Sequence, residues 1–161
     1  MFNVKDKIFY PHHGAGEVEK IEEIEVLGEK RLYYVVKFPL TETLIKIPAD
    51  NIDELGMRYL ADAKEIKRCF EIIAKGTSDA DEDWKVRYKK HQEMLKSGFL
   101  SDIAEVIRNL YDRNQVKELS STEKKLYHSA IDMVVSEVSL SLNKDKDEVK
   151  AEVMRLLEGR P

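Results

Sequence analysis

The sequence predicts an α+β protein in two consecutive parts, strands first and helices second. Three observations carry this. Residues 1–55 are dense in β-branched and aromatic side chains set between Gly and Pro punctuation. From Asp62 onward, apolar residues recur at helical spacing. No proline occurs between Pro48 and Pro161, which suits uninterrupted helices.

The elements follow in order. Lys7-Ile8-Phe9-Tyr10 reads as a strand and Pro11-His12-His13-Gly14 as a turn. Val18, Ile21, Ile24 and Val26 then punctuate a Glu-rich stretch closed by Gly28. Its Val and Ile density and flanking glycines favour strand over helix. Leu32 to Phe38 and Thr43 to Ile47 complete a set of four or five strands, which suggests a small antiparallel barrel of SH3 or Tudor type. Five helices are expected behind it. Asp62 and Glu65 make a capping box ahead of Ile66, Cys69, Phe70 and Ile73, and Gly76 ends that helix. Asp79 with Glu82 caps a second helix through Trp84, Tyr88, His91 and Leu95. The third carries Ile103, Val106, Ile107 and Leu110 on one face. Ser120 with Glu123 opens a fourth, through Leu126, Ala130, Met133, Val134 and Val138. Asn143 or Asp145 starts the last, with Val149, Val153, Leu156 and Leu157. The seam lies near residues 51–60, dividing the chain into a barrel over 1–55 and a helical domain over 56–161.

Composition narrows the function. The 161 residues carry a formal net charge of −4, so tight DNA binding by overall electrostatics is excluded. The balance is uneven, however. Residues 84–125 hold 10 basic and 6 acidic side chains, so a local cationic patch exists. No apolar run approaches the roughly 20 residues that span a bilayer, and no secretory leader is evident. A single cysteine, Cys69, fits a reducing cytoplasm and, on its apolar stripe, a core thiol. None of the seven glycines sits in a phosphate-cradling loop. The adjacent His12 and His13 would point to opposite sides of a strand and make a poor metal pair. No catalytic set, cofactor site or metal site is expected, and the protein is not expected to be an enzyme.

The strongest signal is Trp84-Lys85-Val86-Arg87-Tyr88-Lys89-Lys90, where the only tryptophan stands among four cations. Exposed, it suits contact with DNA through phosphates and a wedge at a base step. Trp84, Tyr88, His91 and Leu95 share helical spacing, however, and spacing alone favours a core stripe over a wedge. Lys124-Lys125 beside the Ser120 cap is a second basic pair near a helix N-terminus.

Taken together, Tyr10-Pro11-His12-His13-Gly14-Ala15-Gly16, Tyr33 to Lys37, Ile45-Lys46-Ile47-Pro48-Ala49, Trp84 to Lys89 and Leu119 to Lys125 resemble the CarD/CdnL family of bacterial transcription regulators over nearly the whole chain. The resemblance implies a Tudor-like domain that binds the β1 lobe of the RNA polymerase β subunit, and a helical domain that contacts promoter DNA. The family's tryptophan wedges into the minor groove at the upstream edge of the transcription bubble, next to the −10 element, and so stabilises the open complex. By matching position, Lys46 takes the polymerase-contacting role and Trp84 the wedge. Arg87, Lys89 and Lys124 match positions facing the DNA backbone, and Lys90 joins them on charge alone. One departure is Ile24, which stands where the family can carry a basic residue. A monomeric cytoplasmic regulator is expected. A similar barrel occurs in transcription-coupled repair factors, but this chain lacks a Walker loop. The alternative is a polymerase-binding adaptor whose helical domain does not touch DNA.

Overall fold

A computed structural model describes residues 1–76 and 83–159. Five strands form one antiparallel sheet in the order β4-β3-β2-β1-β5. They are β1 Lys7–Tyr10, β2 Gly14–Val26, β3 Glu29–Phe38, β4 Thr43–Pro48 and β5 Arg58–Tyr59. A 3-10 turn, Ala49–Asn51, and the short α1, Ile52–Leu55, lead from β4 to β5. The helices α2 Ala63–Lys75, α3 Trp84–Ser97, α4 Leu100–Val116, α5 Ser121–Leu142 and α6 Lys146–Glu158 follow. The α+β class and the strand reading of the Glu-rich segment stand. Leu27 and Gly28 both have positive φ, so a two-residue turn joins β2 to β3 with Val26 opposite Glu29. The division at residue 55 needs extending, because β5 returns to pair with β1 and keeps the sheet unit going to Tyr59.

The stripes read from the sequence bury most of their members, with Phe70, Leu126 and Leu156 half-buried against the core and α3 the exception. Ile66, Cys69 and Ile73 on α2, Ile103, Val106, Ile107 and Leu110 on α4, and Val149, Val153 and Leu157 on α6 join one helical core. Ile8, Val18, Tyr34, Val36, Phe38 and Ile47 form a second core inside the sheet. Strand alternation lets β1 serve both, since Ile8 enters the sheet core while Phe9 enters the helical one. The Asp62–Glu65 capping box is present, with both reciprocal bonds. The Asp79–Glu82 cap lies outside the described residues; Asp83 caps α3 instead, accepting from the Lys85 amide at 3.1 Å. Asp145, not Asn143, precedes α6, because Asn143 closes α5 in a left-handed conformation.

The two cores are joined by a polar clamp. Glu137 of α5 is fully buried. Its carboxylate accepts from Arg58 Nη1 at 2.6 Å and Nη2 at 2.8 Å, and from the Ala61 amide at 2.6 Å. Arg58 also donates to the Gly98 carbonyl and lies over the Phe9 ring, 4.4 Å from its centroid. A buried carboxylate is tolerated only with partners of this quality. Beside the clamp, the Pro11–Gly14 turn seats on the helices. The Ala15 amide donates to Ser136 Oγ at 3.1 Å. Gly14 is required there twice over: its φ is +89°, and a Cβ would stand 2.5 Å from Ser136 Oγ.

Removing one partner of a buried pair leaves the other charge stranded. Arg58→Ala, which strands the fully buried Glu137 carboxylate, should therefore lower stability by about 3–5 kcal/mol, read as a shift of the denaturant midpoint followed by circular dichroism. A change below about 1 kcal/mol, the scale of exposed pairs, would show that the clamp does not hold the two units together.

Candidate nucleic-acid interface

Trp84 opens α3 and keeps half of its surface in solvent, at 50 % exposure. The core reading of this residue is thereby corrected. The buried face of α3 is Arg87, His91 and Leu95, spaced by four residues, and Trp84 stands at its edge. Tyr88, one turn on, is half-buried, and its hydroxyl accepts from Gln92 Nε2 at 3.0 Å. Lys85, Lys89 and Lys90 are exposed. None of the three forms an ion pair among the described residues.

Arg87 does not belong with those lysines. It is only 4 % exposed, and its Nε and Nη2 donate to the two carboxylate oxygens of Glu123 at 2.9 and 2.8 Å. The expectation that Arg87 faces the DNA backbone is therefore corrected: its guanidinium is committed inside the protein. The bidentate pair ties the start of α3 to the start of α5. It also changes the Ser120 cap. Ser120 Oγ accepts from the Glu123 amide at 3.2 Å, but the Glu123 side chain has turned inward to Arg87. The cap therefore satisfies one orphan amide only.

Lys124 remains at the surface but holds Glu118 at 2.6 Å. That hydrogen bond and charge keep the Glu118 carboxyl below its ordinary pKa. A groove of about 410 Å³ opens alongside, lined by Trp84, Arg87, Glu123 and the residues of the α4–α5 connection. Arg113 and Lys117 also line it, and the sequence reading missed both. They follow the apolar stripe of α4 at i, i+4 spacing, so a scan for cations at helix ends would have found them. A larger hollow of about 600 Å³ near β5 is bordered by Asp50, Asp53 and Glu54, a setting hostile to phosphate.

On the sheet, Lys46 of β4 sits opposite Val35 of β3, which in turn faces Lys20 of β2. Both lysines reach Glu22, at 3.3 and 3.0 Å. Their hydrogen bonds hold the Glu22 carboxyl below its ordinary pKa. Ile24 pairs with Arg31, so a cation stands directly across from the position where the family pattern is broken. Lys46 lies on the sheet, and Trp84, Lys89, Lys90 and Lys124 lie on the helical unit. Among the described residues, no group of three or more His, Cys, Asp or Glu is placed to hold a metal ion, and no helix is long and apolar enough to cross a membrane.

Fold and site together define an α+β protein whose helical unit carries an exposed aromatic and cationic surface. The chain belongs to the CarD family, since the pattern described as CarD, C-terminal domain matches residues 68–154 and that of the CarD-like/TRCF RID domain matches residues 2–60. It is 34 % identical over 151 residues to the "Putative transcription factor YdeB" of Bacillus subtilis (strain 168), covering 94 % of this chain and 99 % of that protein. It is 27 % identical over 116 residues to the transcription-repair-coupling factor of Staphylococcus aureus (strain USA300). That match takes in 72 % of this chain but 9 % of the longer protein.

His91 lies under this surface, only 2 % exposed, with its Nε2 3.4 Å from Asn109 Nδ2. Burial pushes its pKa down to about 4, with nearby Arg87 and Lys90 acting in the same direction and Glu123 opposing. The unfolded chain then binds a proton between pH ~6.5 and ~4 that the folded chain refuses. Stability contributed by neutral His91 is complete above pH ~6.5 and is lost as pH falls toward 4, by up to about 3 kcal/mol. Denaturant midpoints measured from pH 7 to 4 should show this slope, and His91→Gln should flatten it. An unchanged slope in that variant would exclude His91 as its source.

Proposed function

We propose that this protein is a transcription regulator that binds RNA polymerase through its sheet and stabilises the open promoter complex through Trp84. The sheet unit, with Lys46 outermost, docks on the β1 lobe of the polymerase β subunit. The helical unit then sets Trp84 against promoter DNA at the upstream edge of the bubble, next to the −10 element. Lys89 and Lys90 contact the phosphates, while Lys124 stays paired with Glu118. The observation that carries this reading is the half-exposed indole at the head of α3, with exposed lysines on the same helix.

The energetics favour two anchors. An acidic chain with a few phosphate contacts binds free DNA weakly and loses that affinity with salt. Docking on polymerase makes the DNA contact intramolecular, at high effective concentration. A wedge into intact duplex must unstack a base step, at a cost of a few kcal/mol. Beside a melted segment that cost is already met, so binding is tighter to the open state than to the closed one. Only this difference shifts the equilibrium, and about 1.4 kcal/mol of it changes the open-to-closed ratio about tenfold.

Trp84→Ala should leave folding and polymerase binding intact and shorten open-complex lifetime by about tenfold, the size of a 1.4 kcal/mol loss. Competitor-challenge assays on a promoter measure this, and lifetimes equal to those with the unaltered protein would remove the wedge. Lys46→Glu should reduce retention on an immobilised β-subunit lobe by several-fold. Equal retention of both forms would place the polymerase contact elsewhere.

A further inference from the structure

We propose that the groove between Trp84 and the α4–α5 connection receives one unstacked nucleotide, its base against the indole and its phosphate between Arg113 and Lys117. This rests on the reading of Trp84 as the DNA contact and adds the strand, the pocket and the two cations. The groove has both halves of the chemistry. One wall is the indole, which offers a flat face to any base. Another carries Arg113, in the last turn of α4, and Lys117, the C-cap, whose amide donates to the Arg113 carbonyl at 2.9 Å.

The charge state of the groove favours an anion. Two carboxylates line it, and each is already answered: Glu123 by Arg87, and Glu118 by Lys124. Arg113 and Lys117 form no ion pair among the described residues. Cations at the C-terminal end of a helix also suit its dipole, but the dipole requires neither a hollow nor an aromatic wall facing it. The volume of about 410 Å³ has room for one base with its phosphate. Such a groove suits a strand whose base has left the stack, which a bubble edge supplies.

The test uses purified polymerase–promoter complexes, with open-complex half-life measured across a range of salt. Arg113→Ala/Lys117→Ala should shorten the half-life about tenfold and flatten its salt dependence by roughly 0.7–0.9 for each phosphate no longer neutralised. Retention on polymerase and the melting midpoint should not change. A promoter carrying an abasic site at the first unpaired upstream position should lose a similar share of stabilisation with the unaltered protein. If the double variant melts early, Lys117→Gln, at an exposed position, takes its place with the same expected direction. Half-life and salt slope equal to those of the unaltered protein overturn the proposal. Insensitivity to the abasic site overturns the nucleotide as the ligand. Trp84→Ala run in parallel separates the two readings: if it shortens the half-life while the cation variants do not, only the groove is wrong. If it too has no effect, the wedge reading fails as well.

Discussion

The arrangement depends on one buried contact, the clamp between Arg58 and Glu137. Two units that each carry their own hydrophobic core have no intrinsic reason to hold a fixed orientation. Here a fully buried carboxylate is satisfied by a guanidinium from the last strand and an amide from the following linker. Neither unit can swing away without leaving a charge unpaired in a dry environment. Phe9 beneath the guanidinium and Gly14 against Ser136 fill the rest of the joint, so several contacts at once hold the orientation of sheet to helices. For a protein proposed to grip polymerase with one unit and DNA with the other, that orientation converts one binding event into the correct placement of the second.

A second buried pair does at the DNA-facing end what the clamp does in the middle. Arg87 and Glu123 fix the first turn of α3 to the first turn of α5. Trp84 lies three residues before Arg87, so the position of the indole is set by a contact it does not make. The half-exposure of Trp84 is thus a consequence of what its neighbours bury. The helix presents its tryptophan because its arginine and histidine face inward.

Much of this is legible in residue order. Periodicity separates strands from helices, and nearly every apolar stripe becomes core. The YPHHG segment reads as a turn, which it is, yet its purpose does not show. Pro11 lies close to Gly56 and Gly98, and Gly14 meets Ser136, partners far away in sequence. Arg87 misleads for a related reason. Local composition groups it with the lysines, whereas only the docking of α5 reveals a carboxylate waiting for it. Glu123 reads as half of a capping box on sound local grounds, and a long-range partner outcompetes that role. Arg113 and Lys117 are readable locally as cations at a helix end, but that they line one groove with Trp84 is not. In each case the missing information is a contact between distant segments, which local pattern does not encode.

The chain contains a single indole, and that indole is half in water at the surface proposed to meet DNA. Near-ultraviolet emission from the native protein therefore originates, at wavelengths selective for tryptophan, from one known position. A partner that covers this ring will change the colour or intensity of that light, while one that covers only the sheet will not. The protein carries its own optical probe, placed by the fold at the point where occupancy is in question.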